Sequence, residues 1–332
     1  MISLNKNLIR GTFTFAAVVT FAFAALFLNS NSASMQAGSN TIVFDRYDSA
    51  VQYTKVFTMN ADGTNVMDLG RGFDPVWSPD GTKIAYAQGT SETNDIWIMN
   101  ADGLNRAQLT TSRGNDHWPS VTPDGRVVVF VSERDGGRGL WRMDIEGGRQ
   151  QRLVAANVGQ RPQLSADGKD VYYGDTALRQ SFRVSIDGGT PTPLPLVLAG
   201  ASGAGASLPE GFHEAAPSPD GKLISGHYND AAQRGERMTV ITPGHPEATL
   251  LLPTVPVPAQ WSPDGRSLLY IDTRRGVSNL WRHPVGGGAA AAQITKFTND
   301  RIFRYALSRD QKRWAIVRGE ISRDVVLVSE RK

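Results

Sequence analysis

The chain has 332 residues, of which 40% are hydrophobic and 20% charged, with no cysteine and a formal net charge of +3. The missing cysteine excludes disulfides, thiolate catalysis, Cys-ligated metal and a lipidated N-terminal cysteine. Without Lys6 and Arg10, both inside the N-terminal segment 1–37, 33 basic residues face 32 acidic ones, so the charge does not imply nucleic acid as a partner. Gly and Pro together number 52, which suits many short strands joined by turns.

Residues 1–37 carry the layout of a targeting segment. Lys6 and Arg10 precede a run of 16 residues, Phe13 to Leu28, that is apolar apart from Thr14 and Thr20. A polar stretch of small residues, Asn29 to Ala37, follows. A secretory signal peptide has this order of parts. The run is slightly short for a full membrane span of about 20 residues. We expect a cleaved signal, with Ser32-Ala33-Ser34 as the candidate site, and an uncleaved signal anchor as the alternative. Either way the rest of the chain is expected to be exported, periplasmic or secreted, touching the membrane only through this segment.

Residues 38–332 are expected to form a single domain, because one unit repeats along them. Trp77-Ser78-Pro79-Asp80-Gly81 returns as Ser218 to Gly221 and, with its Trp, as Trp261 to Gly265. Weaker copies are Thr122 to Gly125, Ser165 to Gly168 and Ser308 to Gln311. The Asp residues at 80, 124, 167, 220, 264 and 310 are 44, 43, 53, 44 and 46 residues apart. Turn chemistry returning at such a period marks a propeller or a repeat array. In the copy from Phe73 to Thr110, strands are predicted at Phe73 to Trp77, Lys83 to Ala87, Asp95 to Met99 and Arg106 to Leu109. The Pro-Asp-Gly turn and Asn100-Ala101-Asp102-Gly103 supply the first and third connections. Four antiparallel strands in one repeat constitute a propeller blade.

The chain therefore reads as an all-β propeller of four-stranded antiparallel blades. Thr41 to Leu69 supplies the last three strands of a blade, and Ile302 to Ser329 the first three of another. The resulting tally of 26 strands favours seven blades, with six as the alternative. Leu198 to Gly211, rich in Ala and Gly, accounts for the 53-residue spacing and reads as an extended loop; Gly286 to Ala292 reads as a second flexible connector.

The Trp-Ser-Pro-Asp-Gly and Asn-Ala-Asp-Gly turns resemble the TolB-type, WD-like β-propeller repeat of bacterial periplasmic proteins. The resemblance runs from Thr41 to Ser329. The last copy, Arg304 to Val328, resembles the closing repeat of propellers fused to winged-helix regulators. The resemblance implies an exported propeller that binds partners in the cell envelope. TolB itself carries an α/β domain before its propeller, and only residues 1–40 precede Thr41 here, so no such domain is expected, nor a winged-helix domain.

In a propeller the first strands line a central channel, and pockets form where several blades converge. Counting six residues back from each turn Asp reaches Asp74, Trp118, Arg161, Glu214, Pro258 and Arg304; counting seven reaches Phe73, His117, Gln160, His213, Val257 and Phe303. Asp74, His117, Trp118, Arg161, His213, Glu214 and Arg304 are accordingly the candidate ligand-binding residues at the channel mouth. His117, His213, Asp74 and Glu214 have the donor types of a Zn²⁺ or Mn²⁺ site, or could act as acid and base toward an anion held by Arg161 and Arg304; solvated or mutually paired side chains are the plainer reading. No resident cofactor is called for.

Trp77, Trp97, Trp141, Trp261 and Trp281 occupy repeated strand positions and are expected in the core. Only Trp118 is placed to stack on a sugar. The turn acids Asp80, Asp124, Asp220 and Asp264 should hydrogen-bond their own turns. His227, His245 and His283 fall off the counted positions and are assigned no role. Gly200 to Ala204 lacks the pattern of a Gly-x-Ser-x-Gly elbow, Gly286-Gly287-Gly288 is no phosphate loop, and no calcium-loop motif occurs. A non-enzymatic platform for an envelope protein or a small-molecule or glycan ligand is therefore expected. The alternative is a lyase or hydrolase acting on carbohydrate or lactone at the channel mouth.

Overall fold

A computed structural model describes residues 34–35, 41–48, 51–60, 64–89, 93–194, 212–230, 235–242, 245–251, 259–286, 289–307 and 314–319. Among them every element is a β-strand. Six four-stranded antiparallel sheets follow one another along the chain, each running first to fourth strand from one edge to the other. Blade 1 is Ser34–Met35, Thr41–Asp48, Tyr53–Asn60 and Met67–Arg71. Blade 2 is Phe73–Trp77, Lys83–Gly89, Asn94–Asn100 and Ala107–Gln108, within two residues of the predicted strands. Blades 3 to 6 begin at Asp116, Gln163, His213 and Gln260.

The count differs from the favoured seven. Six blades are complete, and the seventh sheet contributes two strands, Arg301–Leu307 and Trp314–Gly319, among the described residues. The tally misses the first strand of blade 1, since Ser34 and Met35 pair with Val43 and Ile42 from within the stretch assigned to the targeting segment. Two small or flexible residues in a polar run carry no alternation that a pattern could detect. The strand expected at Arg323 to Val328, the turn at Ser308 to Gln311, the loop Leu198 to Gly211 and the apolar run Phe13 to Leu28 lie outside the described residues.

Blades 2 to 6 turn on one local device. Ser78 Oγ donates to Asp80 Oδ1 at 2.6 Å and accepts the Lys83 amide at 2.9 Å, while Asp80 Oδ1 accepts the Thr82 amide at 3.0 Å. Thr122 with Asp124, Ser165 with Asp167, Ser218 with Asp220 and Ser262 with Asp264 repeat the first bond at 2.6 to 2.7 Å. The hydroxyl and amide donors hold the Asp80, Asp124, Asp167 and Asp220 carboxyls below the usual range, so these acids serve their turns. The closing glycines, Gly81, Gly125, Gly168, Gly221 and Gly265, all have φ between 67° and 73°, a region other residues enter at a cost. A Cβ on Gly168 would lie 2.9 Å from Cδ of Pro123, so the turn of blade 4 rests on that of blade 3.

Packing between blades rests on aromatic pairs across the second and third strands. Phe44 faces Phe57, Tyr86 faces Trp97, Phe130 faces Trp141, Tyr173 faces Phe182 and Tyr270 faces Trp281. Trp77 is buried with Val43, Val56, Ile84 and Met99 between blades 1 and 2. Trp261 and Trp281 pack against Met238, Val240 and Leu268 between blades 5 and 6. Each such aromatic removes a large apolar area from water. Blade 5 breaks the series, with Gly226 opposite Thr239.

Candidate functional site

The counted positions coincide with a backbone irregularity. In blade 2, Phe73 pairs with Ala87 and Val76 with Ala85, so Asp74 and Pro75 together oppose Tyr86 alone. The same bulge sets Trp118 and Pro119 against Phe130 in blade 3, and Glu214 and Ala215 against Gly226 in blade 5. Asp74, Trp118 and Glu214 consequently have φ of 54°, 55° and 56°. A non-glycine residue in this left-handed region costs of order 1 kcal/mol. Bulges re-aim side chains next to sites, and here three polar or aromatic residues accept that geometry where glycine would hold it without strain.

The bulge brings together residues distant in sequence. Arg161 of blade 4 reaches Asp74 of blade 2, Nη2 to Oδ1 at 3.3 Å, and donates through Nη1 to the Pro119 carbonyl of blade 3 at 3.2 Å. The Asp74 and Arg161 side chains are 3% and 15% exposed, so the pair is cut off from bulk solvent. The Asp74 amide donates to Asp45 Oδ2 of blade 1 at 3.0 Å. Four blades are thus joined through one buried guanidinium and two buried carboxylates.

His117 and Trp118 stack with ring centroids 4.5 Å apart. Trp118 also packs against the apolar core shared by blades 3 and 4 and lies 5.9 Å from the Arg138 guanidinium. Its ring is therefore largely engaged by the protein. Behind it, Arg138 Nε donates to Glu133 Oε1 and Asn115 Nδ2 to Glu133 Oε2, both at 2.9 Å. Burial pushes the His117 imidazole down to about 4, the Glu133 and Asp116 charges opposing the shift and Arg138 adding to it. His117 is neutral at pH 7, and its Nε2 is buried without a hydrogen-bond partner.

Glu214 lies beside His227, with Oε2 3.5 Å from Nδ1. The latter residue is the one that the count misses. It sits seven residues after the turn Asp220, in direct register with His213. The same position holds Ala87 in blade 2 and Val131 in blade 3, opposite Phe73 and His117, and Asp45 follows the paired Phe44 in blade 1 as Ala87 follows the paired Tyr86. Counting seven forward from each turn Asp, as well as back, would have reached His227. The side chains of His213 and Arg304 lie outside the described residues. Among those described, no group of three His, Asp or Glu side chains is placed to hold a metal.

The family model described as TolB beta propeller domain matches residues 34–224, more than half of the chain. Tol-Pal system protein TolB of Bordetella pertussis is 34% identical over 138 residues, covering 27% of this chain and 32% of that protein. The segments matched in the curated relatives span a third or less of their length. TolB from Acinetobacter baumannii superposes with a TM-score of 0.58 at 17% identity, over 74% of this chain and 61% of that one. The β-propeller domain of the Trilobed protease from Pyrococcus furiosus gives 0.56 at 12% identity, over 85% and 88%. At these identities the two superpositions show the fold alone.

Proposed function

Because the chain belongs to the TolB β-propeller family, we propose that it acts as an exported, non-enzymatic propeller whose channel mouth binds a protein of the cell envelope. One observation carries this reading: the described residues are spent on blades, while Asp74, Trp118 and Glu214 occupy a single repeat position where the backbone is held off its preferred geometry. A platform of polar and aromatic side chains on rigid strands suits recognition of an extended polar segment. The relative whose name assigns it to the Tol-Pal system supports an envelope partner. Export through residues 1–37 makes the protein periplasmic or secreted.

Affinity capture from the native envelope with the full chain, followed by mass spectrometry, tests the reading. A partner captured by the wild type and lost with Trp118→Ala or Glu214→Ala, both variants folded, is the expected result. Capture that survives both changes removes the channel mouth from the proposal.

A second reading rests on the carboxylate beside an imidazole at Glu214 and His227. The two together are the parts of an acid–base pair for a lyase or hydrolase acting on a glycan or a lactone. Turnover on a panel of such substrates, abolished by Glu214→Gln, would favour it over the platform.

A further inference from the structure

Charge is divided unevenly along the chain. Residues 41–258, which hold blades 1 to 5, carry 19 basic and 25 acidic side chains, a net −6. Residues 259–332, from blade 6 onward, carry 14 and 7, a net +7. A near-neutral total thus conceals a basic sector, and charge asymmetry of this kind bears on binding rather than on fold. First strands run from the channel mouth to the Ser-Pro-Asp-Gly turns. The hairpin between second and third strands and the connection to the next blade therefore both lie at the mouth end. In blade 6 these are Arg275-Gly276, between Ser267–Arg274 and Val277–Pro284, and residues 294–300, ahead of Arg301–Leu307. The two pieces are fastened together. The Ser278 amide donates to the Asp300 carbonyl at 3.0 Å, and the Asn279 side chain donates to the Phe297 carbonyl and accepts the Phe297 amide at 3.2 and 2.7 Å. Arg275, Lys296 and Arg301, all exposed, consequently share one rim.

Their charges are not spent inside the protein. Among the described residues none of the three makes an ion pair. The acids at this end do not cancel them: Asp272 is bonded to Arg274 at 2.8 Å, and Asp300 is partly buried. We propose that this rim of blade 6 is a docking surface for an anionic lipid bilayer, held by its phosphate headgroups. The exposed large apolar side chains among the described residues, Val51, Val66, Met67, Leu104 and Leu178, belong to blades 1, 2 and 4. The rim of blade 6 thus lacks the apolar anchors around which a protein interface is built. A charged membrane surface requires none, since each Lys or Arg brought to it strengthens binding about 5-fold. The same surface repels the net negative blades 1 to 5, which turns blade 6 toward the lipid. This contact adds to the one expected through residues 1–37 and is separate from the channel-mouth reading: a propeller that captured no envelope protein would still bind the bilayer.

The test is sedimentation of the full chain with vesicles of phosphatidylcholine and phosphatidylglycerol at 3:1, beside vesicles of phosphatidylcholine alone. The triple variant Arg275→Gln, Lys296→Gln, Arg301→Gln should bind the anionic vesicles about 100-fold more weakly than the wild type at low salt. The difference should disappear in 0.5 M NaCl, where screening acts within a few ångströms. On pure phosphatidylcholine the two proteins should bind alike, which removes any contribution of residues 1–37 from the comparison. A second variant, Lys169→Gln, Arg179→Gln, Lys222→Gln, removes as many exposed cations from blades 4 and 5 and should bind as the wild type does. Equal binding of wild type and the blade 6 variant to anionic vesicles overturns the proposal. Equal weakening by both variants also overturns it, because total charge and not this rim would then govern binding. A self-association of the wild type that the blade 6 variant loses, with vesicle binding unchanged, overturns it as well and assigns the rim to a second copy of the chain.

Discussion

Acidification should destabilise this protein through one imidazole. An ordinary histidine titrates near 6.5, whereas burial holds His117 at about 4. The unfolded chain therefore binds a proton that the folded chain refuses, and stability falls as pH drops through the interval between the two values. At 1.36 kcal/mol per unit, the full shift amounts to about 3 kcal/mol. Between about pH 7 and pH 5 the unfolded His117 becomes almost fully protonated while the folded one stays neutral, so roughly 2 kcal/mol is lost over that range. This is a sizeable part of the 5 to 15 kcal/mol typical of a folded protein. The comparison is with His117→Phe, which keeps a ring against Trp118 and discards no hydrogen bond at Nε2. Denaturant unfolding at both pH values gives the two differences, and the other histidines and the carboxylates contribute alike to both proteins. The variant should lose about 2 kcal/mol less than the wild type on acidification. Equal losses, within about 0.5 kcal/mol, would refute the assignment of the acid sensitivity to His117.

Removing one partner of the buried pair between blades 2 and 4, by Arg161→Met, should cost about 3 to 5 kcal/mol; adding Asp74→Asn should recover most of it, as judged by urea midpoints of the single and double variants. Gly168→Ala places a Cβ at φ 71° and 2.9 Å from Pro123, and a loss of about 2 kcal/mol or more is expected, against a smaller loss at Gly221, whose Cβ would meet nothing within 4 Å. Ser78→Ala removes a hydroxyl that bonds both Asp80 and the Lys83 amide and should cost about 1 to 2 kcal/mol in thermal unfolding. Since Ser34 and Met35 belong to the first strand of blade 1, the mature chain, measured by intact mass, should retain both; a mature protein beginning after Met35 would contradict that pairing.

Much of the fold was legible because its determinants are local. The Ser-Pro-Asp-Gly device makes its hydrogen bonds within five residues, so any stretch with that spelling turns the same way, and its recurrence measures out the blades. The repeated Trp positions were equally readable, since an aromatic facing the next blade must be apolar wherever the repeat occurs. The seven candidate residues were picked by the same ruler, and for Asp74, Trp118 and Glu214 the ruler lands on one structural feature, the bulge.

What the spacing could not reveal depends on contacts between distant segments. Asp45 joins the site only because its carboxylate accepts the Asp74 amide of the next blade, a contact between segments 29 residues apart. Arg161 meets Asp74 across 87 positions of sequence, a contact that no local pattern encodes. The first strand of blade 1 is two residues long and becomes a strand only because Val43 and Ile42 offer it an edge. The sequence alone thus determined the repeat and the turns, which are set by φ preferences and hydrogen bonds between near neighbours. The tertiary structure alone decided which side chains meet between blades and which groups are buried there, because burial and pairing are properties of the assembled blades.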